Sequence, residues 1–482
     1  MSLPDRMRNA VETVETAGTV PFNWTGNPWV DAGIAAIQEW SGKNSPGEIS
    51  MQDLKGISKS LVDIYLTDAW RSSLYSVFPN HPVTQSYGIK TKEIAENKLK
   101  ENLKKLRKRQ RDDLGNLLDD LLNNVEPPTE YGTCMACGRR AVTKQRNRMH
   151  IPLTGYEGSH FFSFKAEGAD YCDACTFAVQ CSPLVYYACG KLLLLHSNSM
   201  KIMKCWAKRC IAEVNKQLAT KNYSGCFNEQ YANPTNALFH IIQDLILSYD
   251  ERWAEESASI RLYHFTNYNQ GADLDIYDLP APVFRFLAYI RPHPRYRDWL
   301  KVIRKGYYKD VAGKKEGEYR NYRNSVYQAL LDGKTIVRYF LDNKLKRAIG
   351  DWSLLSYYLK EVRNMDERRI ETIRKLGDEV AELVKTSPNG KKRLGQIERA
   401  ESYASLRNVF LRLMKDRVAL RGGTPLFTYE DYVEALFPEG AMNWRETQDL
   451  LLFRLYEILH EWLISEGVVE MVEEEAEEIT VS

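Results

Sequence analysis

Apolar positions along the chain alternate between helical and strand periods for its first two thirds and then settle to helical spacing. Phe22-Asn-Trp-Thr-Gly-Asn-Pro-Trp-Val-Asp-Ala-Gly33 reads as a turn, with Asp31 placed to cap a helix beginning near Ala32 and continuing through Ile34, Ile37 and Trp40. A second helix is expected over about 50–66. Ile94, Leu99, Leu103, Leu106, Leu114, Leu118, Leu121 and Leu122 recur at intervals of three and four, which predicts a helix over 91–123 that Pro127-Pro128 ends. Tyr156 to Phe164 is short and aromatic and reads as a strand. After Cys175 an apolar stretch runs to about Leu195, and a helical segment follows to Leu218. Ile260-Arg-Leu-Tyr-His-Phe265 alternates as a strand does, as does the region of Ile276 and Tyr277. Pro280 and Pro282 break that pattern, and Val283 to Ile290 resumes an apolar element. From about Tyr319 strand signals disappear. Helical runs are expected at 320–345, 351–385, 392–420, 428–436 and 443–466, punctuated by Ser387-Pro-Asn-Gly390, Gly422-Gly423 and Phe437-Pro-Glu-Gly440. The pattern predicts an α+β multidomain chain with a mixed α/β body, an inserted zinc-finger module and an all-helical C-terminal bundle. The expected divisions are 1–128 (mostly helical), 129–180 (the finger), 181–350 (the rest of the body) and 351–482 (the bundle).

The composition, 44% hydrophobic and 27% charged over 482 residues, excludes a disordered chain. The densest apolar stretch, Leu192 to Leu195, is flanked by Lys191, His196 and Lys201, too short for a membrane span. Asp5, Arg6 and Arg8 precede no apolar core, so no secretory signal is read and the cytoplasm is expected. The net charge of +2 hides segregation. Arg139, Arg140, Lys144, Arg146 and Arg148 sit in a stretch without acids, Lys98 to Arg111 is densely basic, and Glu473, Glu474, Glu475, Glu477 and Glu478 close the chain. Basic islands in a neutral total fit local contact with nucleic acid.

Four of the nine cysteines form two pairs, Cys134-Met-Ala-Cys137 and Cys172-Asp-Ala-Cys175. Two intervening residues let both thiolates of a pair face one ion, and Gly138 suits the tight turn of a zinc knuckle. Together the pairs make a closed, structural Zn²⁺ site, with a loop between them long enough for an inserted hairpin. The alternative is buried thiols that share no ion; a redox motif needs one pair rather than two. Cys181, Cys189, Cys205, Cys210 and Cys226 read as small core residues.

Enzyme signatures fail on inspection. Gly333-Lys334-Thr335 lacks the first glycine of a phosphate-binding loop, since position 328 is Gln328. His460-Glu461 is followed by Ile464 where a metalloprotease helix needs a second histidine. No His-x-Glu or Gly-x-Ser-x-Gly motif occurs, so no catalytic residue is assigned and the chain is expected not to be an enzyme. Lys221 to Asn236 is amide-rich and interrupted by Gly225 and Pro234. Asn222, Asn228, Asn233 and Asn236 offer donors and acceptors to base edges, and Tyr223 and Tyr231 offer rings to stack or wedge. The competing reading is turn and cap chemistry, with Asn233 and Asn236 in those roles. Arg139, Arg140, Lys144, Arg146 and Arg148 form a candidate phosphate clamp or a solvated surface. Arg295 to Arg323 interleaves tyrosine with basic residues, a composition suited to single strands.

Trp24-Thr-Gly-Asn-Pro-Trp-Val-Asp-Ala-Gly33, the paired Cys-x-x-Cys motifs and His264-Phe-Thr-Asn267 together resemble the CXXC–CXXC large subunit of a type I CRISPR Cascade complex, subtype I-B or I-A, across residues 20 to 290 in motif order. The resemblance implies a non-catalytic subunit near the 5′ handle of a guide CRISPR RNA. Such a subunit recognises the protospacer-adjacent motif on double-stranded target DNA and helps open it, contacts the backbone and handle-binding subunits, and recruits a helicase–nuclease. Only the four cysteines carry over residue by residue. The resemblance further implies a small helical subunit translated internally. Met365, within an expected helical stretch, is the candidate start, with a core drawn from Ile370, Ile373, Leu376, Leu406, Phe410, Leu413, Leu451, Leu455, Ile458 and Leu459. Lys391, Lys392, Arg393, Arg407 and Arg412 would then face the DNA backbone. The competing function is a zinc-containing nucleic-acid-binding regulator outside CRISPR.

Overall fold

Asn27-Pro28 starts the first helix four residues earlier than the apolar pattern implies. Asn27 caps it by accepting from Val30 N–H, and Pro28 sits at the first helical position, where its missing N–H costs nothing. The structure is a computed structural model that describes residues 20, 22–92, 95–126, 132–154, 168–248, 258–268, 271–421 and 425–470. The expected strand at Tyr156 to Phe164, Pro127-Pro128, Gly422-Gly423, the early charges and the acidic tail lie outside the described residues. Two compact units form, one of residues 1–234 with 260–277, the other of 235–259 with 278–482.

In the first unit, α1 (Pro28–Trp40) is followed by α2 (Met51–Tyr65), opened by a reciprocal Ser50–Asp53 capping box. Next come α3 (Asp68–Tyr75), which the pattern did not show, and α4 (Glu96–Asn123), whose buried stripe is Leu106, Leu114, Leu118 and Leu121. After α5 (Asp173–Cys181), β1 (Tyr187–Cys189) and β2 (Lys191–Ser197) precede the long α6 (Met200–Thr220). β3 (Ile260–Tyr268) and β4 (Gly271–Leu279) complete a sheet of order β1-β2-β3-β4. β2 pairs antiparallel with β1 and β3 in a register that sets Leu193 opposite both Tyr187 and His264. Gly33 lets α1 and α5 touch, since a Cβ there would lie 1.8 Å from the Ala178 carbonyl oxygen. Among the described residues no helix is long and apolar enough to cross a membrane.

The second unit holds α7 (Pro234–Ser248), α8 (Ala281–Ile290), α9 (Tyr296–Lys305), the single turn α10 (Glu316–Tyr319) and α11 (Ser325–Leu331). The helix expected over 320–345 is interrupted: a two-residue antiparallel hairpin, β5 (Leu341–Asp342) with β6 (Arg347–Ala348), follows a 3₁₀ turn. The run expected over 351–385 is two helices, α12 (Trp352–Glu361) and α13 (Glu367–Thr386). Asn364 adopts a left-handed φ of 48° between them, so Met365 lies at a helix break and not within a helix. α14 (Gly390–Glu398), α15 (Tyr403–Arg421), a π-helical turn at Asp431–Leu436 and α16 (Trp444–Ser465) complete the unit. The anticipated bundle core is buried except for Ile458, which is half-buried. Phe453 of α16 packs against Phe340 and Trp352, both of which precede Met365. The overall class is the mixed α+β one that the sequence pattern implies.

Candidate metal centre and nucleic-acid surfaces

Gly138 holds a φ of +72°, which closes the turn after the first cysteine pair. Its N–H donates to the Cys134 carbonyl at 2.9 Å, and Cys134 N–H donates to the Arg139 carbonyl at 2.8 Å. The second pair sits at the start of α5, with Cys172 at the N-cap and Cys175 in the first turn. All four Sγ atoms lie within 4.8 Å of one another, and Cys137 and Cys172 Sγ are 3.7 Å apart. A tetrahedral ion with arms of ~2.3 Å requires edges of about 3.8 Å, so this spacing fits Zn²⁺ rather than a disulfide, and all four thiols are free. Hydrogen bonds from Cys134, then Cys172 and Cys175, hold the Cys137 thiol well below its ordinary range, while the same sharing, led by Cys134, pushes Cys175 up. Such a cluster releases its remaining protons to solvent when a metal binds. Of the other cysteines, Cys205 is half-buried and the rest are buried, as expected of core thiols.

Two cations of the basic stretch face inward. Arg139 is half-buried and directs its guanidinium at Cys172 Sγ, 3.6 Å away, where it offsets thiolate charge. Arg146 is buried in an ion pair with Asp173, one of the two residues between the second pair of cysteines. Arg146 also exchanges backbone hydrogen bonds of 2.8 Å with Ala169, and a Cβ on Gly168 would strike the Arg146 carbonyl oxygen at 2.5 Å. Thr143 Oγ1 donates to the other Asp173 oxygen at 2.8 Å. Arg140 and Lys144 are exposed and Arg148 is half-buried. On α4, Arg107 and Arg111 reach Asp68 and Asp63, while Lys104 and Lys108 remain exposed.

The separated motifs converge here. Asn27 Nδ2 donates to the Tyr171 hydroxyl at 2.8 Å, one residue before Cys172. Asp31 does not cap a following helix: from the first turn of α1 it accepts from Thr25 and Gly26 N–H, and its second oxygen lies 3.1 Å from His196 Nε2. Trp29 packs on Tyr263 and Phe265, at 5.5 and 6.1 Å between ring centroids. Asn267 Nδ2 donates to the Val77 and Arg148 carbonyls.

The amide loop divides. Asn228 and Tyr231 line an open groove of ≈ 750 Å³, along with Gln230, Arg71, Tyr75 and Tyr268. Tyr75 and Tyr268 are exposed and lie 5.6 Å apart at their ring centroids. Asn228 is exposed and accepts from Gln230 N–H, which lets Gln230 hold a φ of +66°. Asn222 is exposed, Tyr223 and Asn233 are half-buried, and Tyr231 is buried. Asn236 belongs to the second unit, 2% exposed, with its amide donating to the Arg320 and Tyr322 carbonyls. Arg71, Tyr75 and Tyr268 were not singled out from sequence; they come from α3 and β3 and carry no local motif. In the bundle, Lys392, Arg407 and Arg412 are exposed, Lys391 pairs with Glu466, and Arg393 is bound to Asp416.

No curated protein and no solved structure matches the chain. Residues 128–187, which contain both cysteine pairs, match the family model described as CRISPR-associated protein (Cas_CXXC_CXXC), and over that segment the chain is similar to the CRISPR-associated proteins with a CXXC–CXXC motif.

Proposed function

We propose that the chain is the large subunit of a CRISPR RNA-guided DNA surveillance complex (Cascade), which recognises the protospacer-adjacent motif and helps open target DNA. One observation carries the reading: a segment similar to CRISPR-associated proteins is bound, through Asn27–Tyr171 and Asn267–Arg148, to the two distant segments that prompted the Cascade resemblance. Zn²⁺ held by Cys134, Cys137, Cys172 and Cys175 supplies folding energy to the finger and no reaction step. The Asn228–Tyr231 groove supplies amides for base edges and exposed tyrosines to hold an opening duplex, with Arg71 and Lys191 for phosphates. Guide CRISPR RNA, the backbone and handle-binding subunits and the helicase–nuclease are the partners this role requires. A small helical subunit beginning at Met365 is a further one.

The test is purification of the chain co-expressed with its neighbouring genes, followed by sequencing of bound RNA. A guide RNA of uniform length supports the reading, and a complex without RNA overturns it. Within the complex, Asn222→Ala, Asn228→Ala and Asn233→Ala together are expected to weaken binding to motif-bearing duplex more than to a pre-opened bubble. Equal effects on both substrates would remove motif reading from this loop.

A further inference from the structure

The first unit holds a second open groove beside the one proposed to meet duplex DNA. The N-terminal half of α4 and the turn between α2 and α3 enclose ≈ 780 Å³. Glu101, Lys104, Lys105, Lys108 and Arg111 are related by steps of three and four, so one face of α4 makes a wall, and Leu66 and Thr67 stand opposite. The lining carries Lys104, Lys105, Arg107, Lys108 and Arg111 against two carboxylates, Glu101 and Asp63. Glu101 pairs with Lys105 and Asp63 with Arg111, and all four side chains are more than half exposed. Exposed pairs of this kind are weak and yield to a stronger anion. Lys104 and Lys108 are exposed, form no ion pair among the described residues, and stand one turn apart, ~6 Å along the helix.

Asp68, in the first turn of α3, joins the two grooves. It lines the groove of Asn228 and Tyr231, and its Oδ1 takes Nη1 of Arg71 at 3.3 Å and Nη2 of Arg107. Both guanidiniums are anchored independently of it. Arg71 Nε donates to the Val83 carbonyl at 2.9 Å, and Arg107 Nη1 donates to the Leu66 carbonyl at 2.8 Å. Each is therefore fixed with an N–H directed at one shared oxygen, the geometry of a phosphate clamp with a carboxylate seated in it. The carboxylate is the loose member: 86% of the Asp68 side chain is exposed, against 25% and 31% for Arg71 and Arg107. The hydrogen bond from Arg107 holds the Asp68 carboxyl below the usual carboxylate range. Burial, and then the charge of Arg107, lower the proton affinity of Arg71, as expected of two cations sharing one anion.

These features select the polymer. Among the described residues no aromatic side chain lines the α4 groove, so it offers no platform for an unstacked base and takes backbone alone. Cations spaced along a rigid helix suit the regular phosphates of a duplex. We propose that the α4 groove carries the phosphate backbone of the duplex DNA met in the neighbouring groove, and that Asp68 occupies the Arg71–Arg107 clamp until a phosphate displaces it. The inference rests on reading the Asn228–Tyr231 groove as the place where duplex is met. Asp68 then lowers affinity for duplex of every sequence.

The experiment is fluorescence anisotropy of the full chain, without guide RNA, on a labelled random-sequence DNA duplex over a series of salt concentrations. Asp68→Asn is expected to tighten binding about fivefold, since two exposed ion pairs no longer have to break. Glu213→Gln makes the same change of charge on α6, where Glu213 pairs with Lys216 outside both grooves, and is expected to change nothing measurable. Arg107→Gln added to Asp68→Asn is expected to erase the gain. Lys104→Gln with Lys108→Gln is expected to lower the slope of log affinity against log salt by about two, one for each lost phosphate contact. Neither lysine has an ion-pair partner to lose, so the fold is not at stake in that variant. Asp68→Asn binding no tighter than Glu213→Gln, or a salt slope unchanged in the lysine variant, overturns the proposal. So do effects confined to oligothymidine or to duplex RNA. A random duplex without guide RNA tests the clamp whether or not the purified complex holds RNA, and failure of the clamp leaves the comparison of motif-bearing duplex with bubble to decide the motif reading separately.

Discussion

Removing Arg146 is expected to damage the chain more than removing both partners of its ion pair. The Arg146 and Asp173 side chains are each 2% exposed. Burial is the leading influence on both, lowering the proton affinity of Arg146 and raising that of Asp173 despite their mutual attraction. Desolvation thus outweighs the Coulomb gain, and the pair holds a geometry more than it adds net stability. Arg146→Ala strands a carboxylate that keeps only Thr143 Oγ1, at an expected cost of about 3–5 kcal/mol. Asp173→Ala strands a guanidinium at a similar cost. Arg146→Met combined with Asp173→Asn nearly keeps the volume, removes both charges and leaves Thr143 Oγ1 an acceptor, and is expected to cost less than either single variant. Because the chain has two compact units, a single unfolding midpoint is a poor readout. Release of zinc to a chromogenic chelator, followed against denaturant, reports on the finger itself. Arg146→Ala is also expected to loosen zinc about tenfold, since it leaves an unpaired negative charge between two thiolate ligands. Single variants costing under about 1 kcal/mol, or a double variant costing the sum of the singles, would refute this account of the pair.

His81 is buried with Nε2 3.1 Å from Gln180 Oε1, and burial lowers its pKa to about 4. A depressed histidine contributes stability above its unfolded pKa of ~6.5 that is lost as pH falls towards 4, on the order of 3 kcal/mol in all; denaturation of wild type and His81→Gln at stepped pH should show a flatter acid limb for the variant. Gly33→Ala places a methyl against the Ala178 carbonyl and is expected to cost about 3 kcal/mol or more and to weaken zinc retention, whereas Gly47→Ala, with open space around it, is expected to change neither measurably. Met365→Leu in the native gene is expected to remove a product spanning residues 365–482 from the purified complex, as read by mass spectrometry. That product loses the Phe340 and Trp352 cover of Phe453, so on its own it is expected to aggregate and in the complex to be soluble.

The cysteine pairs were legible because a metal turn needs its ligands at a fixed local spacing, and the turn glycine falls where the chemistry requires it. The helix expected over about 50–66 was legible as well, and the structure opens it with the Ser50–Asp53 capping box. Asn27-Pro28 also carried a local signal, an N-cap followed by proline at the first helical position, and it outranks Asp31, whose carboxylate folds back over the turn instead. The hairpin Leu341–Ala348 was not legible, because two-residue strands leave no alternation to read.

The largest difference concerns charge. A run of cations without nearby acids in sequence reads as a surface, since burying a cation is costly without a partner. Asp173 reaches Arg146 from 27 residues away, and Cys172 reaches Arg139 from 33. Both partners arrive because the cysteine cluster brings the start of α5 back onto the stretch, so the same cysteines whose convergence the spacing implies also draw Arg139 and Arg146 inward. Sequence spacing can identify a metal site, but the charge of its surroundings follows only from what the closed site draws in. Replacing Arg139 or Arg146 would therefore test the fold of the finger rather than its affinity for nucleic acid.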